Sequence, residues 1–401
     1  MIVAIVHDYI KEYGGAERVL EALHEIWPDA PVYTFVYLPG FLGPHKDRFS
    51  PSASSGWNIK TSWLQYLPFK AKLISPIRLI APWIFGQFDF SKFDVVIVSS
   101  TGAYVKNIAS GKWQIADGKN NHKPNATSHK PVVVTYCHTP PRYLYGYATA
   151  RDWKSNIVLR VLGAITNHFL RLIDFKSAQN VDYFIANSEN IASRIEKFYR
   201  RGSTVIYPPV SIDSSMYQVL SSKYKENIHN TNYKLRNTYY LAGGRIAKAK
   251  HTDLIIKTFE KSGLPLKVFG RSFAGNGIES NKSNIEFVGE VSDEEKMKLM
   301  AGAKAFVFAA EDEDFGITPV EAMSVGTPVI AYRSGGVVES IVHGRTGLFF
   351  NELTVESLSL AIKQFNNLTI NPKDCIKSAQ KFSKERFKKE ILEFVNSKFK
   401  R

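Results

Sequence analysis

The sequence predicts an α/β fold made of two doubly wound domains, each with a largely parallel sheet. Short apolar runs such as Val3–Val6, Val95–Ser100 and Phe306–Ala310 have the length and composition of strands that are buried on both faces. Glycine-containing loops and helix-like segments follow such runs in both halves of the chain, as doubly wound sheets require. The chain has 401 residues, which is more than one hydrophobic core usually spans. Two domains of this kind are therefore expected.

The composition narrows the class of protein. Hydrophobic residues make up 44% of the chain and aromatic residues 13%, which is enough for large cores and argues against disorder. Cys137 and Cys375 lie far apart, so we expect a reducing compartment and no disulfide framework. The opening MIVAIVHDYI has no basic stretch before an apolar one, so we expect a first strand rather than a signal peptide. The net charge of +15 requires an anionic partner: nucleic acid, a membrane surface or a phosphorylated ligand.

The first half carries two candidate binding features. Gly14 and Gly15 follow the first strand and precede a helix predicted from about Ala16 to Trp27. This arrangement lets backbone N–H groups approach a phosphate, although a glycine pair is also typical of a plain turn. His138 follows a strand predicted over 131–137 and precedes a proline-rich loop, where it is either a binding residue or a structural histidine. A further strand is predicted over 181–187, with Ser188 capping the next helix.

Other segments of the first half have a distinctive composition, but no chemical role is assigned to their individual residues. Residues 57–90 mix tryptophan and phenylalanine with lysine and arginine on predicted short helices. They either contact a membrane interface or form amphipathic helices that pack on the domain. Residues 109–130 are polar and are predicted to be an insertion, and 157–180 a long basic helix. A hinge is predicted near 207–213, where two prolines stiffen the chain, and a surface loop at 219–234.

The second half begins with a predicted strand over 239–242 and the segment GGRIAKAK. Arg245 and Lys250 supply two cations near a helix start, which suits a diphosphate because arginine binds in a fork and lysine as a point charge. The same residues could form a solvated basic loop. Further on, Glu313 and Glu321 flank an FG dipeptide and Pro319. We expect Glu313 in a loop and Glu321 in the first turn of a helix, whose free N–H groups at 315–318 suit an anion.

The stretch 311–350 resembles the donor-sugar site of the retaining family 4 glycosyltransferases of the GT-B fold. The resemblance rests on the two glutamates eight positions apart around FG-x-x-P, and on the GTPV and GG segments that follow. It extends to GGR-x4-K at 243–250, CHTPPRY at 137–143 and GGAERV at 14–19, which look like bacterial α-mannosyltransferases of surface polysaccharide assembly. The resemblance implies two Rossmann-like domains that face each other across a cleft. Residues 1–208 would bind the acceptor, 209–380 the nucleotide sugar, and 381–401 would form a helix crossing back.

The resemblance also implies roles for individual residues. Glu313 would bind hydroxyls of the donor sugar and Glu321 the nucleotide ribose. Arg245 and Lys250 would neutralise the leaving nucleoside diphosphate, and His138 would contact the donor sugar. Further donor contacts are implied for Gly14, Gly15, Gly244, Phe315, Gly316, Ile317 and Thr318.

The implied reaction transfers mannose from GDP-mannose to a lipid-linked saccharide in polysaccharide or O-antigen-type synthesis, with no metal or other cofactor. The implied place is the cytoplasmic face of the inner membrane, with peripheral contact to its anionic surface and no nucleic-acid partner. Two alternatives within enzymes stay open: a UDP-glucose or UDP-N-acetylglucosamine transferase of the same fold, and an epimerase. An alternative of another class is a basic nucleic-acid-binding protein with a vestigial sugar site, although aromatic stacking sets typical of RNA-binding sheets are not seen.

Overall fold

The computed structural model describes residues 1–50, 56–74, 81–102, 106, 130–148, 157–212, 238–271 and 279–399. The chain divides into two units. The first comprises Met1–Tyr147, Lys154–Pro209 and Phe387–Arg401, and the second Ala148–Trp153 and Val210–Arg386.

Within the described residues, seven strands of the first unit form one parallel sheet with the order β3-β2-β1-β4-β5-β6-β7. The strands are β1 (Val3–His7), β2 (Val32–Thr34), β3 (Ile59–Thr61), β4 (Val95–Ser100), β5 (Val132–Cys137), β6 (Tyr183–Ala186) and β7 (Thr204–Val205). Neighbouring residues of one strand point into different cores: Ala4 and Val6 pack in one, Val3 and Ile5 in the other. The sheet is therefore covered on both faces, which explains why its central strands are apolar throughout.

The helices of the first unit follow from ordinary local signals. They are α1 (Gly15–Ile26), α2 (Lys70–Leu73), α3 (Ala81–Phe85), α4 (Ile157–Gln179) and α5 (Glu189–Tyr199). In α1, the buried Val19, Leu20 and Leu23 form one apolar face against the sheet. The Ser188 hydroxyl accepts the N–H of Ile191 at 3.1 Å, which confirms this residue as the cap of α5.

The second unit also contains a parallel sheet. In its described part this sheet has six strands in the order β10-β9-β8-β11-β12-β13. Its strands are β8 (Tyr240–Gly243), β9 (Leu266–Phe269), β10 (Ile285–Gly289), β11 (Phe306–Phe308), β12 (Val329–Tyr332) and β13 (Gly347–Phe350). Its helices are α6 (Thr252–Ser262), α7 (Asp293–Gly302), α8 (Ile317–Ser324), α9 (Val337–Ser340), α10 (Val355–Asn366) and α11 (Pro372–Gln380). Helix α7 begins after Ser292, which forms a reciprocal capping box with Glu295.

The last helix, α12 (Lys384–Phe399), adds its apolar side to the first unit. Phe387, Ile391 and Val395 are buried in the core that contains Val3 and Ile5. None of the helices in the described ranges is both long and apolar enough to cross a membrane.

One sequence prediction needs correction. Residues 57–90 were expected to form short helices, as they do in α2 and α3, but Ile59–Thr61 forms the edge strand β3 beside β2. Its three residues show no run or alternation of apolar side chains, so only the neighbouring strand reveals it. A short strand, Thr204–Val205, also precedes the predicted hinge. The predicted insertion at 109–130 lies almost wholly outside the described residues, and the surface loop at 219–234 lies entirely outside them.

Candidate functional site

The second-unit site is built where two neighbouring parallel strands end. β8 and β11 pair with each other, so the segments that follow them leave the sheet at the same edge. The backbone N–H of Glu311 donates to the carbonyl of Ala249 at 2.8 Å and ties the two segments together. Ligands of open α/β sheets bind at this kind of edge.

An ion pair between Lys250 and Glu313 lies at this edge and joins two residues predicted separately from the sequence. Both side chains are partly buried, and the Lys250 ammonium also lies 5.1 Å from the centre of the Phe308 ring. Beside them, His251 Nε2 lies 3.1 Å from Glu311 Oε2. The predicted cation and the predicted sugar-binding carboxylate therefore occupy one place in the structure.

The glycine pair at 335–336 explains how the Glu313 loop is held. A Cβ on Gly335, which has φ +66°, would lie 2.1 Å from the Glu313 carbonyl oxygen. A Cβ on Gly336 would lie 2.2 Å from the carbonyl oxygen of Asp314, and its N–H donates to Glu313 O at 2.7 Å. Only glycine permits this close approach between two backbones. The pair therefore positions Glu313.

Gly244 brings the GGR segment close to the start of α8. It has φ +109°, and a Cβ placed on it would lie 4.0 Å from Thr318 Oγ1. Behind it, a Cβ on Gly270 would lie 1.8 Å from the Gly244 carbonyl oxygen, so this turn has room only for backbone. Arg245 follows directly and is exposed.

Helix α8 begins at Ile317, after Gly316 in a left-handed conformation with φ +92°. Among the described residues no side chain hydrogen-bonds as its N-cap. Phe315 is buried and its ring lies 5.2 Å from that of Phe382, which anchors the loop before the helix. The predicted donor contacts Phe315, Gly316, Ile317 and Thr318 thus surround one helix start.

Glu321 does not lie in the first turn of α8, as expected, but in the second, because the helix already begins at Ile317. Its carboxylate is buried and forms an ion pair with Lys296 at 2.9 Å. Lys296 also contacts Asp293 at 3.0 Å. No sequence pattern indicates Lys296, since it stands 25 positions before Glu321 on another helix.

In the first unit, Gly14 and Gly15 form the start of α1. Gly14 is extended, with φ −143°, and its N–H donates to the Glu17 carboxylate at 2.9 Å. The other oxygen of that carboxylate lies 3.7 Å from His7 Nε2. Glu17 therefore has a definite role in holding this loop, which the sequence alone did not reveal.

His138 follows β5, as predicted, and is buried beside the same network. Its Nε2 lies 2.8 Å from Ser99 Oγ, and that hydroxyl lies 3.0 Å from Nδ1 of His7. Burial, with a smaller contribution from His7, lowers the pKa of His138 to about 3. His138 is therefore neutral near pH 7. Nearby, burial raises the pKa of Asp8, which accepts hydrogen bonds from the N–H and hydroxyl of Thr101.

The two sites offer different chemistry. The second-unit site combines cations, a carboxylate and backbone at a helix start, which are the groups that hold a phosphorylated, polyhydroxylated ligand. The first-unit site offers a neutral imidazole. In the part of the chain that is described, no cluster of three or more His, Cys, Asp or Glu side chains could hold a metal ion.

Comparison with protein families identifies part of the second unit. Residues 224–382 match the family model described as "Glycosyl transferases group 1". This range contains the Lys250–Glu313 pair, Lys296 and Glu321.

Comparison with individual proteins gives the same class of enzyme. The chain is 24% identical to the Mus musculus alpha-1,3/1,6-mannosyltransferase ALG2 over 423 residues, covering 95% of this chain and 93% of the relative. It is 31% identical to the Dictyostelium discoideum protein of the same name over 283 residues, covering 60% of this chain and 63% of the relative. The crystal structure of Anabaena HepE in complex with UDP and glucose is similar in fold, with a TM-score of 0.67 and 16% identity over 99% of this chain and 100% of that one.

Proposed function

Because this chain is a glycosyltransferase of group 1 with the GT-B fold, we propose that it transfers mannose from GDP-mannose to a lipid-linked saccharide with retention of configuration. The observation that carries the proposal is the Lys250–Glu313 pair at the shared edge of β8 and β11. In this proposal the cation binds phosphate and the adjacent carboxylate binds sugar hydroxyls.

The pair also suggests how the donor binds. Lys250 and Glu313 pair with each other and keep partial contact with solvent, so groups of a ligand can reach both side chains. A nucleoside diphosphate sugar offers each residue a better partner: phosphate oxygens for Lys250 and hydroxyls for Glu313. Arg245, which is exposed just before them, adds a second cation for the diphosphate. Glu321, which is paired with Lys296, accepts hydrogen bonds from hydroxyls of the ribose.

Departure of the diphosphate concentrates negative charge on its oxygens. Arg245, Lys250 and the backbone N–H groups at the start of α8 stabilise that charge as it forms. We propose a same-face substitution without a covalent enzyme intermediate, in which a phosphate oxygen accepts the proton of the acceptor. His138 contacts the donor sugar in this proposal, and Gly14 and Gly15 contact the donor.

The choice of mannose is supported by the two relatives, both of which are named mannosyltransferases. UDP-glucose is the leading competitor, because the Anabaena HepE structure was solved in complex with UDP and glucose. A nucleic-acid-binding role draws support only from the net charge of +15, which anionic donors and lipids account for equally well.

A lipid-linked acceptor requires contact with a membrane, and the first unit has surfaces suited to it. Within residues 57–90, four aromatic side chains are exposed: Trp63, Tyr66, Phe69 and Trp83. On α4, exposed Ile165, Phe169, Leu172 and Phe175 follow one helix face. The exposed charged side chains described on α4 are Arg171 and Lys176, whereas its acidic residue Asp174 is buried against Lys106. We propose that this basic, apolar surface contacts an anionic membrane from the cytoplasmic side.

The donor is tested by thermal unfolding with GDP-mannose, UDP-glucose and UDP-N-acetylglucosamine, followed by turnover on a lipid-linked saccharide. A donor at about 100 times its Kd stabilises the fold by roughly 2.7 kcal/mol. We expect GDP-mannose to raise Tm most, and Lys250→Met to abolish the shift. Lys261→Met, which removes an exposed cation outside the site, is the matched control. A larger shift with a UDP-sugar would assign that donor instead.

A further inference from the structure

A chain of four buried polar side chains connects the start of α1 to His138 in the first unit. The Glu17 carboxylate lies 3.7 Å from His7 Nε2, and His7 Nδ1 lies 3.0 Å from Ser99 Oγ. Ser99 Oγ in turn lies 2.8 Å from His138 Nε2. The four residues come from α1, β1, β4 and the end of β5, so neighbouring strands hold them in register.

The number of protons in this chain restricts its hydrogen bonding. Ser99 has one proton to donate, and both of its neighbours are ring nitrogens. When Ser99 donates its proton to one ring, the other ring can hydrogen-bond to Ser99 only as a donor. The two possible directions give His138 opposite tautomers.

Glu17 selects one direction. The Gly14 N–H holds one carboxylate oxygen at 2.9 Å, so the other is turned towards His7 Nε2. When His7 carries a single ring proton, the neighbouring carboxylate favours that proton on Nε2, which leaves Nδ1 as an acceptor. Ser99 then donates to His7 and accepts from the Nε2–H of His138.

We propose that Glu17, acting through His7 and Ser99, is a positioning residue that holds His138 in the tautomer with Nε2 protonated and Nδ1 free to accept. The consequence for catalysis rests on the proposed function. If His138 faces the donor sugar, its Nδ1 recognises a hydroxyl that donates a hydrogen bond. The low pKa of His138 supports the neutral ring that such recognition requires.

Glu17→Gln tests the direction of the chain with almost no change in shape. The amide oxygen takes the Gly14 N–H, and the amide N–H then faces His7 Nε2. This reverses every hydrogen bond and moves the His138 proton to Nδ1. The measurement is the ¹⁵N chemical shifts of the ring nitrogens in histidine-labelled protein, with the His138 signals assigned from a His138→Gln spectrum.

We expect an unprotonated Nδ1 in the parent chain and a protonated Nδ1 in Glu17→Gln. Glu21→Gln, which changes a carboxylate one turn further along α1 that pairs with Arg48, should leave the His138 signals unchanged. Ser99→Ala removes the hydroxyl between the rings, so both His138 nitrogens should move to averaged shifts. A protonated Nδ1 in the parent, or His138 signals that ignore both Glu17→Gln and Ser99→Ala, would overturn the proposal.

A kinetic experiment tests the consequence separately. A donor whose sugar hydroxyl is replaced by fluorine can accept a hydrogen bond but cannot donate one. The fluorine replaces the hydroxyl that faces His138. In the parent, we expect this analogue to raise KM about tenfold, because one hydrogen bond is lost. In Glu17→Gln, we expect a much smaller rise in KM. Confirmed NMR shifts without this kinetic difference would leave the tautomer established and remove His138 from the sugar contact.

Discussion

The two units treat their polar side chains in opposite ways. In the first unit, His7, Ser99 and His138 are buried and joined by hydrogen bonds, and the Glu17 carboxylate lies 3.7 Å from His7. In the second, Lys250 and Glu313 pair at the sheet edge while partly exposed. A buried network is costly to rearrange because an unpaired member would lose its hydrogen bonds, whereas a partly exposed pair opens easily. The first arrangement suits a fixed recognition group, and the second suits residues that exchange partners when a ligand binds.

The units differ at the surface as well. Among the described residues, nearly all exposed aromatic side chains belong to the first unit: Phe41, Trp63, Tyr66, Phe69, Trp83, Phe169 and Phe175. In the second unit, Phe287 is an exposed aromatic residue, and the other large apolar side chains at its surface are aliphatic. Because aromatic side chains near cations favour a membrane interface, we propose membrane contact for the first unit and donor chemistry for the second.

The largest expected effect follows from removing the cation of the second unit. Lys250→Met should lower kcat by about 10²- to 10³-fold, because a charge that stabilises the leaving diphosphate is lost. Glu313 also loses its ion pair with Lys250, so the effects of Lys250→Met and Glu313→Gln should combine less than multiplicatively in the double variant. Steady-state kinetics with the identified donor check this, with Lys261→Met as control. Unchanged kcat in Lys250→Met would place the leaving group elsewhere.

A smaller effect concerns the surface of the first unit. Leu172→Ser on α4 should weaken binding to vesicles containing phosphatidylglycerol by roughly tenfold, since an inserted leucine contributes about 1.5–3 kcal/mol when fully buried. Leu360→Ser is the matched control, because Leu172 and Leu360 are both 57% exposed and Leu360 belongs to the second unit.

Flotation with and without phosphatidylglycerol measures this binding. Equal binding of the two leucine variants would contradict the assignment of membrane contact to α4. A parent chain that is dimeric by light scattering, and that becomes monomeric in Leu172→Ser, would show that a second copy covers this face instead.

The sequence predicted those features that depend on neighbours along the chain. Apolar runs located the central strands, Ser188 marked the start of α5, and the family resemblance assigned Lys250 and Glu313 to one donor. The parallel pairing of β8 and β11 explains why the two residues lie together, because the segments after adjacent parallel strands leave the sheet on the same side.

Features that depend on contacts between distant elements could not be predicted in this way. His7 and Ser99 stand 92 positions apart, and their hydrogen bond arises only because β1 and β4 pair in register. Glu321 was placed in the correct helix but in the wrong turn, since a glycine with positive φ starts α8 early. In the sequence, neither His7 at the end of a strand nor Lys296 on a helix indicates which distant residue it contacts. These contacts therefore had to be read from the structure.

A third effect tests whether burial in the first unit holds His138 neutral. Its pKa falls from 6.5 to about 3, so between these values the unfolded chain binds a proton that the folded chain does not. Stability should therefore decrease as the pH falls through this window, by at most about 1.4 kcal/mol per pH unit from this group. Asp8 acts in the opposite sense, because its pKa is raised, but it is present in every variant compared.

Urea unfolding at about pH 6.5 and about pH 4.5 measures the effect, which for the pKa values involved amounts to about 2 kcal/mol. His138→Gln removes the group, so its stability should fall less over this interval than that of the parent. His168→Gln, which removes an exposed imidazole from α4, controls for the loss of a histidine as such. If the parent and His138→Gln lost the same stability, His138 would titrate in the folded state like an open surface group. The contrast between a fixed interior network in the first unit and an exchangeable pair in the second would then fail.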